Sequence, residues 1–283
     1  MTFEPESLGQ SRSDLAEALR RERKRAGLTQ TRLAQRCNMS QTKISNIEGG
    51  KLTPTIVDVE LILEALGTDS PIGLKILALA RTANTEWQDD WSSQRRGLDK
   101  KQNELAGLES ITTEFRFFLP TMITGLLATP DYVRASLARN PSDISKTVTK
   151  KLERQQILTN PAKFFTFLLT EQAVRWPLAS PVAMAMQLDR LASVSRIPNV
   201  RLGIIPLRTV GPLNETPLSV FTVYDRRLVQ VETHTGALIL RDHRDVDAYR
   251  EEFNRYEEYA LFGDACRELL TEWSMIFTRL RKY

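Results

Sequence analysis

The residues best equipped for chemistry stand in one run, Gln30-Thr31-Arg32-Leu33-Ala34-Gln35-Arg36-Cys37-Asn38-Met39-Ser40-Gln41-Thr42-Lys43-Ile44-Ser45-Asn46-Ile47-Glu48. Its amides and hydroxyls are hydrogen-bonding groups, and a carboxamide such as that of Gln41 carries a donor and an acceptor side by side. The run fits a helix-turn-helix at every steric position. Ala34 is small where two helix axes approach, Leu33, Cys37, Ile44 and Ile47 point into a shared core, and Ser40 caps the second helix. Asn38 supplies a turn residue that tolerates positive φ. Bond-breaking constellations are missing: the sequence has no Gly-x-Gly-x-x-Gly, Walker loop, His-Glu-x-x-His or Gly-x-Ser-x-Gly. His234 and His243 flank an expected strand pair with no nucleophile motif beside them, which favours surface or capping histidines over a general base. Cys37 and Cys266 are far apart and belong to no Cys-x-x-Cys, so neither a disulfide nor a metal site is expected. The chain reads as no enzyme, with no cofactor.

The elements that must position this run follow from caps and periodicity. Residues 1–11 read as a disordered leader, and Ser13 as the cap of a helix over 14–26 ended by Gly27. Thr29 caps a helix over 30–37, Ser40 one over 41–48, and a buried fourth helix from Val57 closes at Gly67. These make an all-α domain over 12–70. A helical linker over 71–97 follows, with Trp87, Trp91 and a polar tract. Residues 98–283 alternate, with helices expected over 98–110, 131–139, 143–159, 181–196, 243–259 and 263–281. Strands are expected over 115–119, 164–169, 200–205, 219–224, 228–232 and 237–240. The crowding of the last strands favours an antiparallel meander, so the fold class is a multi-domain chain, all-α and then a larger α+β domain.

Charge separates the two parts. Residues 1–55 hold 10 Lys/Arg and 6 Asp/Glu, whereas the other 228 residues hold 29 of each. A local basic excess suits a phosphate backbone, and a neutral remainder does not. The run Arg20-Arg21-Glu22-Arg23-Lys24-Arg25 reads first as a solvated face and second as an extension of a phosphate footprint. No stretch approaches the ~20 apolar residues of a membrane span, and the acidic start lacks the marks of a signal peptide, so the expected location is the cytoplasm, at the nucleoid. In the larger part, Glu171 and Glu232 read as buried carboxylates, with Arg175 or Arg154 as internal ion-pair partners, and Phe164-Phe165-Phe167 as strand core.

Leu28-Thr29-Gln30, Leu33-Ala34, Ser40, Ile44-Ser45, Ile47-Glu48-Gly49-Gly50-Lys51 and Pro54 together resemble the signature of the Xre family of regulators, the phage repressor/Cro type. The resemblance implies a recognition helix starting at Ser40, with Gln41, Thr42, Ser45 and Asn46 reading bases and Gln30, Thr31, Lys43 and Lys51 holding phosphates. Residues 118–135, Arg154-Gln155, Leu169 to Trp176, Gln187-Leu188 and Ile204-Ile205-Pro206 resemble the large C-terminal domain of actinomycete Scr1-type Xre regulators, departing from it at Thr124 and Ala128. This implies architecture and a regulatory role. Three readings follow. The first is a regulator that binds an inverted repeat of double-stranded DNA as a homodimer and senses a small-molecule effector. The second is an antitoxin-like DNA-binding subunit gripping a small partner protein. The third is an enzyme tethered to DNA. Candidate dimer surfaces are Leu269, Leu270, Trp273, Ile276, Phe277 and Leu280 on the last helix, and the region of Trp87 and Trp91.

Overall fold

Thr29, Ser40 and Thr55 each sit in extended backbone and accept a hydrogen bond from the amide three residues on, and each starts a helix. In the computed structural model, which describes residues 7–89, 107–139, 143–207, 214–233 and 236–280, these helices are α2 (Gln30–Arg36), α3 (Gln41–Glu48) and α4 (Ile56–Leu66). Asp58 answers Thr55 in a reciprocal capping box, and Gly67 closes α4 at φ 60°. The first helix, α1, spans Ser7–Arg25, so Ser13 lies inside it and not at its start; the leader expected over 1–11 lies outside the described residues up to 6. The polar sequence before Ser13 lacks apolar periodicity, which is why it reads as coil.

The N-terminal unit takes residues up to 88 together with 238–246. The segment expected as a linker begins with α5 (Ser70–Asn84), with Pro71 in its first turn, and its Ile76, Ala80 and Ala83 join Leu15, Leu19, Leu33, Ile44, Ile47, Val59 and Ile62 in a single core. It therefore belongs to this unit, as does β1 (Thr85–Asp89), which lies beside β7 (Gly236–Leu240). The polar tract after residue 89, Trp91 and the greater part of the helix expected over 98–110 lie outside the described residues.

The second unit takes 89–237 and 247–283. Its strands β2 (Glu114–Leu119), β3 (Phe164–Thr170), β4 (Val200–Ile205), β5 (Val220–Tyr224) and β6 (Leu228–Glu232) run in the order β6-β5-β2-β3-β4. β2, β3 and β4 are mutually parallel, whereas β2–β5 and β5–β6 are antiparallel. The sheet is thus mixed, and its β5 and β6 show the antiparallel pairing expected of the last strands. Parallel neighbours need long crossovers. The first is α6 (Pro130–Ser136) and α7 (Ser145–Arg154), and the second is α8 (Glu171–Arg175) and α9 (Pro181–Val194). α10 (His243–Glu257), which starts in the N-terminal unit, and α11 (Gly263–Leu280) end the chain.

The parallel register sets Phe115 against Phe165 and Phe117 against Phe167, and the ring pairs stack at 4.6 and 4.7 Å. Phe164, expected as core with them, is exposed at the first position of β3, although Leu168 on the same face is buried. On the other face Phe118 stacks on Tyr256 at 4.0 Å. Gly203 in β4 is needed because a Cβ there would meet the Phe262 ring at 2.6 Å. The loop before α6 is held by two glutamines. Gln155 Nε2 donates to the Gly125 and Ala128 carbonyls at 2.8 and 2.7 Å. The fully buried Gln187 donates to the Leu127 carbonyl at 2.9 Å and accepts from the Thr129 amide at 2.7 Å. The Glu171 carboxylate pairs with Arg175, and Arg154 pairs with Glu109 instead. Glu232, expected to be buried, is exposed at the end of β6.

Candidate nucleic-acid interface

Leu33, Ala34, Cys37, Ile44 and Ile47 are all buried, and Asn38 turns the chain between α2 and α3 at φ 53°. With that core fixed, Gln41 and Thr42 are exposed at the start of α3 and Ser45 and Asn46 are half-buried one turn later. Thr31 is exposed in the first turn of α2, and Lys51 is exposed just past α3. Two of the expected phosphate contacts are instead engaged within the protein. Lys43 Nζ donates to Asp58 Oδ1 at 2.7 Å, and Gln30 Nε2 donates to Glu48 Oε2 at 2.9 Å. A lysine in an ion pair is a weaker phosphate ligand than a free one, because the pair must be broken or shared.

Gln30 belongs to a chain of hydrogen bonds that sequence reasoning missed. Arg23 donates to the Leu28 carbonyl at 2.7 Å and, through Nε and Nη2, to both oxygens of Glu48 at 2.5 and 2.8 Å. Glu48 accepts from Gln30, and Gln30 Oε1 accepts from Gln41 Nε2 at 3.2 Å. Burial by itself would raise the Glu48 carboxyl. Hydrogen bonds from Arg23 and Gln30, with the charges of Arg23 and Arg20, outweigh burial and hold it below the usual carboxylate range. The Arg23 guanidinium is raised in turn, chiefly by its bond to Glu48. Glu48 is 8% exposed and Arg23 9%. The relevant signal in the sequence was a carboxylate inside an otherwise apolar repeat, Ile44-x-x-Ile47-Glu48, without any indication that its partner lay 25 residues earlier.

Among the described residues, the bond to Gln30 uses one Gln41 N–H and leaves the second N–H and the carbonyl oxygen, which are the pair a bidentate contact to adenine employs. Because Gln30 fixes the amide, less rotamer freedom is lost when it meets a base. A groove of about 830 Å³ between α1 and the turn at Gly49-Gly50 is lined by Arg12, Arg20, Arg21 and Lys24, together with Glu17 and with Glu48, which pairs with Arg23. Of the basic run on α1, Glu22 and Arg23 are buried and the rest form an exposed face. Elsewhere, Cys37 and Cys266 are separate buried thiols, and burial pushes Cys266 up to about 12. His243 starts α10, and His234 lies outside the described residues. On α11 Leu270, Trp273 and Phe277 are core, whereas Ile276 and Leu280 are exposed. Among the described residues no helix is long and apolar enough to cross a membrane.

A model of a helix-turn-helix domain matches residues 14–71, and a model of a domain of unknown function (DUF5753) matches residues 102–272. No curated protein matches the chain. Among solved structures, the archaeal chromatin protein TrmBL2, described as showing a novel mode of DNA binding, is 12% identical with a TM-score of 0.30, over 64% of this chain and 53% of its own. The chain therefore spans about half the length of that protein. Nuc from Salmonella typhimurium, a phospholipase D family member, is 12% identical with a TM-score of 0.32, over 56% of this chain and 87% of its own. NucT from Helicobacter pylori is 10% identical with a TM-score of 0.33, over 63% and 98%. Likeness at this level carries no argument about function.

Proposed function

The chain belongs to the family defined by this domain of unknown function, and we propose that, with a helix-turn-helix ahead of that domain, it is a sequence-specific DNA-binding transcriptional regulator of the Xre kind. The observation that carries this reading is the Gln41 amide, held by Gln30 at 3.2 Å at the exposed N-terminus of α3 with a donor and an acceptor to spare. α3 enters the major groove by its N-terminal half. Gln41 reads a base, Thr42, Ser45 and Asn46 add neighbouring contacts, and Thr31, Lys51 and the α1 groove meet phosphates. A single helix-turn-helix reads too few base pairs to find one site in a genome, so the protein acts in the cytoplasm as a homodimer on an inverted repeat. In this reading the second unit carries no catalysis. It joins the two copies and senses an effector or partner.

Selection from random duplexes yields the preferred site, and Gln41→Ala is then compared on that site and on random DNA. The expected loss is about 1–3 kcal/mol on the selected site and far less on random DNA. Equal losses on both would remove Gln41 from the reading set.

A further inference from the structure

We propose that Asp242, in the segment that returns to complete the N-terminal unit, is a positioning residue for DNA reading, and that it fixes the N-terminus of α4 and thereby the recognition helix α3. The inference rests on the DNA-reading role just given to α3. The chain leaves the N-terminal unit after residue 88 and returns to it for nine residues, 238–246. Those nine residues do more than fill space. Asp242 is 4% exposed, and its two oxygens serve two helices far apart in sequence. Oδ1 accepts from the Arg244 amide at 2.9 Å and so caps its own helix, α10. Oδ2 accepts from the Ile56 amide at 3.2 Å, at the first turn of α4, across 186 residues of sequence.

The capping box at α4 satisfies the Thr55 and Asp58 amides, at 3.2 and 3.1 Å, and leaves the buried Ile56 amide to Asp242. The bond therefore ties the returning segment to the first turn of α4. The Asp58 side chain that completes the box also accepts from Lys43, in the first turn of α3 beside Gln41 and Thr42. Asp242 thus holds the Ile56 amide, and two residues on along the backbone of α4 Asp58 holds Lys43. Two further bonds hold the same segment. Arg244 pairs with Glu60 on α4, and the Arg241 amide donates to the Asn84 carbonyl at 3.4 Å, while Asn84 Nδ2 donates to the Pro54 carbonyl just ahead of α4 at 2.9 Å.

The test uses the full chain and Asp242→Asn, in which one amide cannot accept from both helices. Hydrogen exchange is followed at the amides of α3 and α4, and binding is measured on the selected duplex and on random duplex. The expected result is several-fold faster exchange in α3 as well as in the first turn of α4, with about tenfold weaker binding to the selected site and less than about twofold on random DNA. Acceleration confined to residues 56–59 and to the start of α10, with α3 unchanged, would show a local cap and overturn the proposal. If Asp242→Asn does not fold, Arg244→Ala replaces it, with the same pattern expected at about threefold. Should the unmodified protein prefer no DNA sequence, the DNA-reading role fails, and the exchange at α3 still decides whether Asp242 positions that helix.

Discussion

Each unit contains a buried polar knot, and the two end differently. In the N-terminal unit the bonds run from the Leu28 carbonyl through Arg23, Glu48 and Gln30 to Gln41, where they reach solvent with a donor and an acceptor left over. In the second unit the knots close on themselves. Gln187 donates to and accepts from one loop, and the buried Lys163 ammonium gives its protons to the carbonyls of Glu109, Ser110 and Thr112 at 2.7, 3.0 and 2.6 Å. Every bond in a closed knot holds the fold. An open knot also holds the fold, but its last member is aimed outward and pre-set, which is how a rigid contact is offered to a partner.

Removing the centre of the open knot gives the largest expected effect. Glu48→Ala leaves the Arg23 guanidinium buried without its carboxylate, so denaturant unfolding should show a loss of about 3–5 kcal/mol in the N-terminal unit. Gln187→Ala should cost about 2–3 kcal/mol, since the Thr129 amide and the Leu127 carbonyl lose their partner in a buried place. DNA affinity of the folded variant should not change, and a tenfold drop there would break the contrast between the two knots. A smaller effect separates them by pH. The Glu48 carboxyl is lower in the folded protein than its ordinary value of about 4.3, so its contribution is complete above that value and is lost as pH falls through the depressed one. Glu48→Gln should abolish this slope in an acid titration of stability. The smallest effect belongs to the rim: Lys51→Ala should make the slope of log K against log salt shallower by about 0.9, on selected and random DNA alike.

Much of the N-terminal unit was legible because its signals are local. Thr29, Ser40, Asn38 and Gly67 act within four residues of themselves, and Leu33, Cys37, Ile44 and Ile47 declare one helix face each. The strands β2 to β7 were legible for the same reason, from their apolar runs. Their direction was not, since the side-chain period of two is the same in parallel and antiparallel pairs. Polar partners were the hardest to read. Nothing local in Lys43 predicts Asp58, nothing in Arg23 predicts Glu48, and nothing in Asp242 predicts the amide of Ile56, because hydrogen bonds across 15, 25 and 186 residues leave no periodic trace.

The nine returning residues also set a clock for synthesis. A helix-turn-helix made at the start of a chain could finish folding while the rest is still on the ribosome. Here the last piece of the N-terminal unit is residue 246, and translation from residue 88 to that point takes roughly eight to thirty seconds. During that interval α1 to α5 can assemble, but the amide of Ile56 waits for Asp242. The buried amide of Ile56 therefore gains its partner only after most of the second unit has been made.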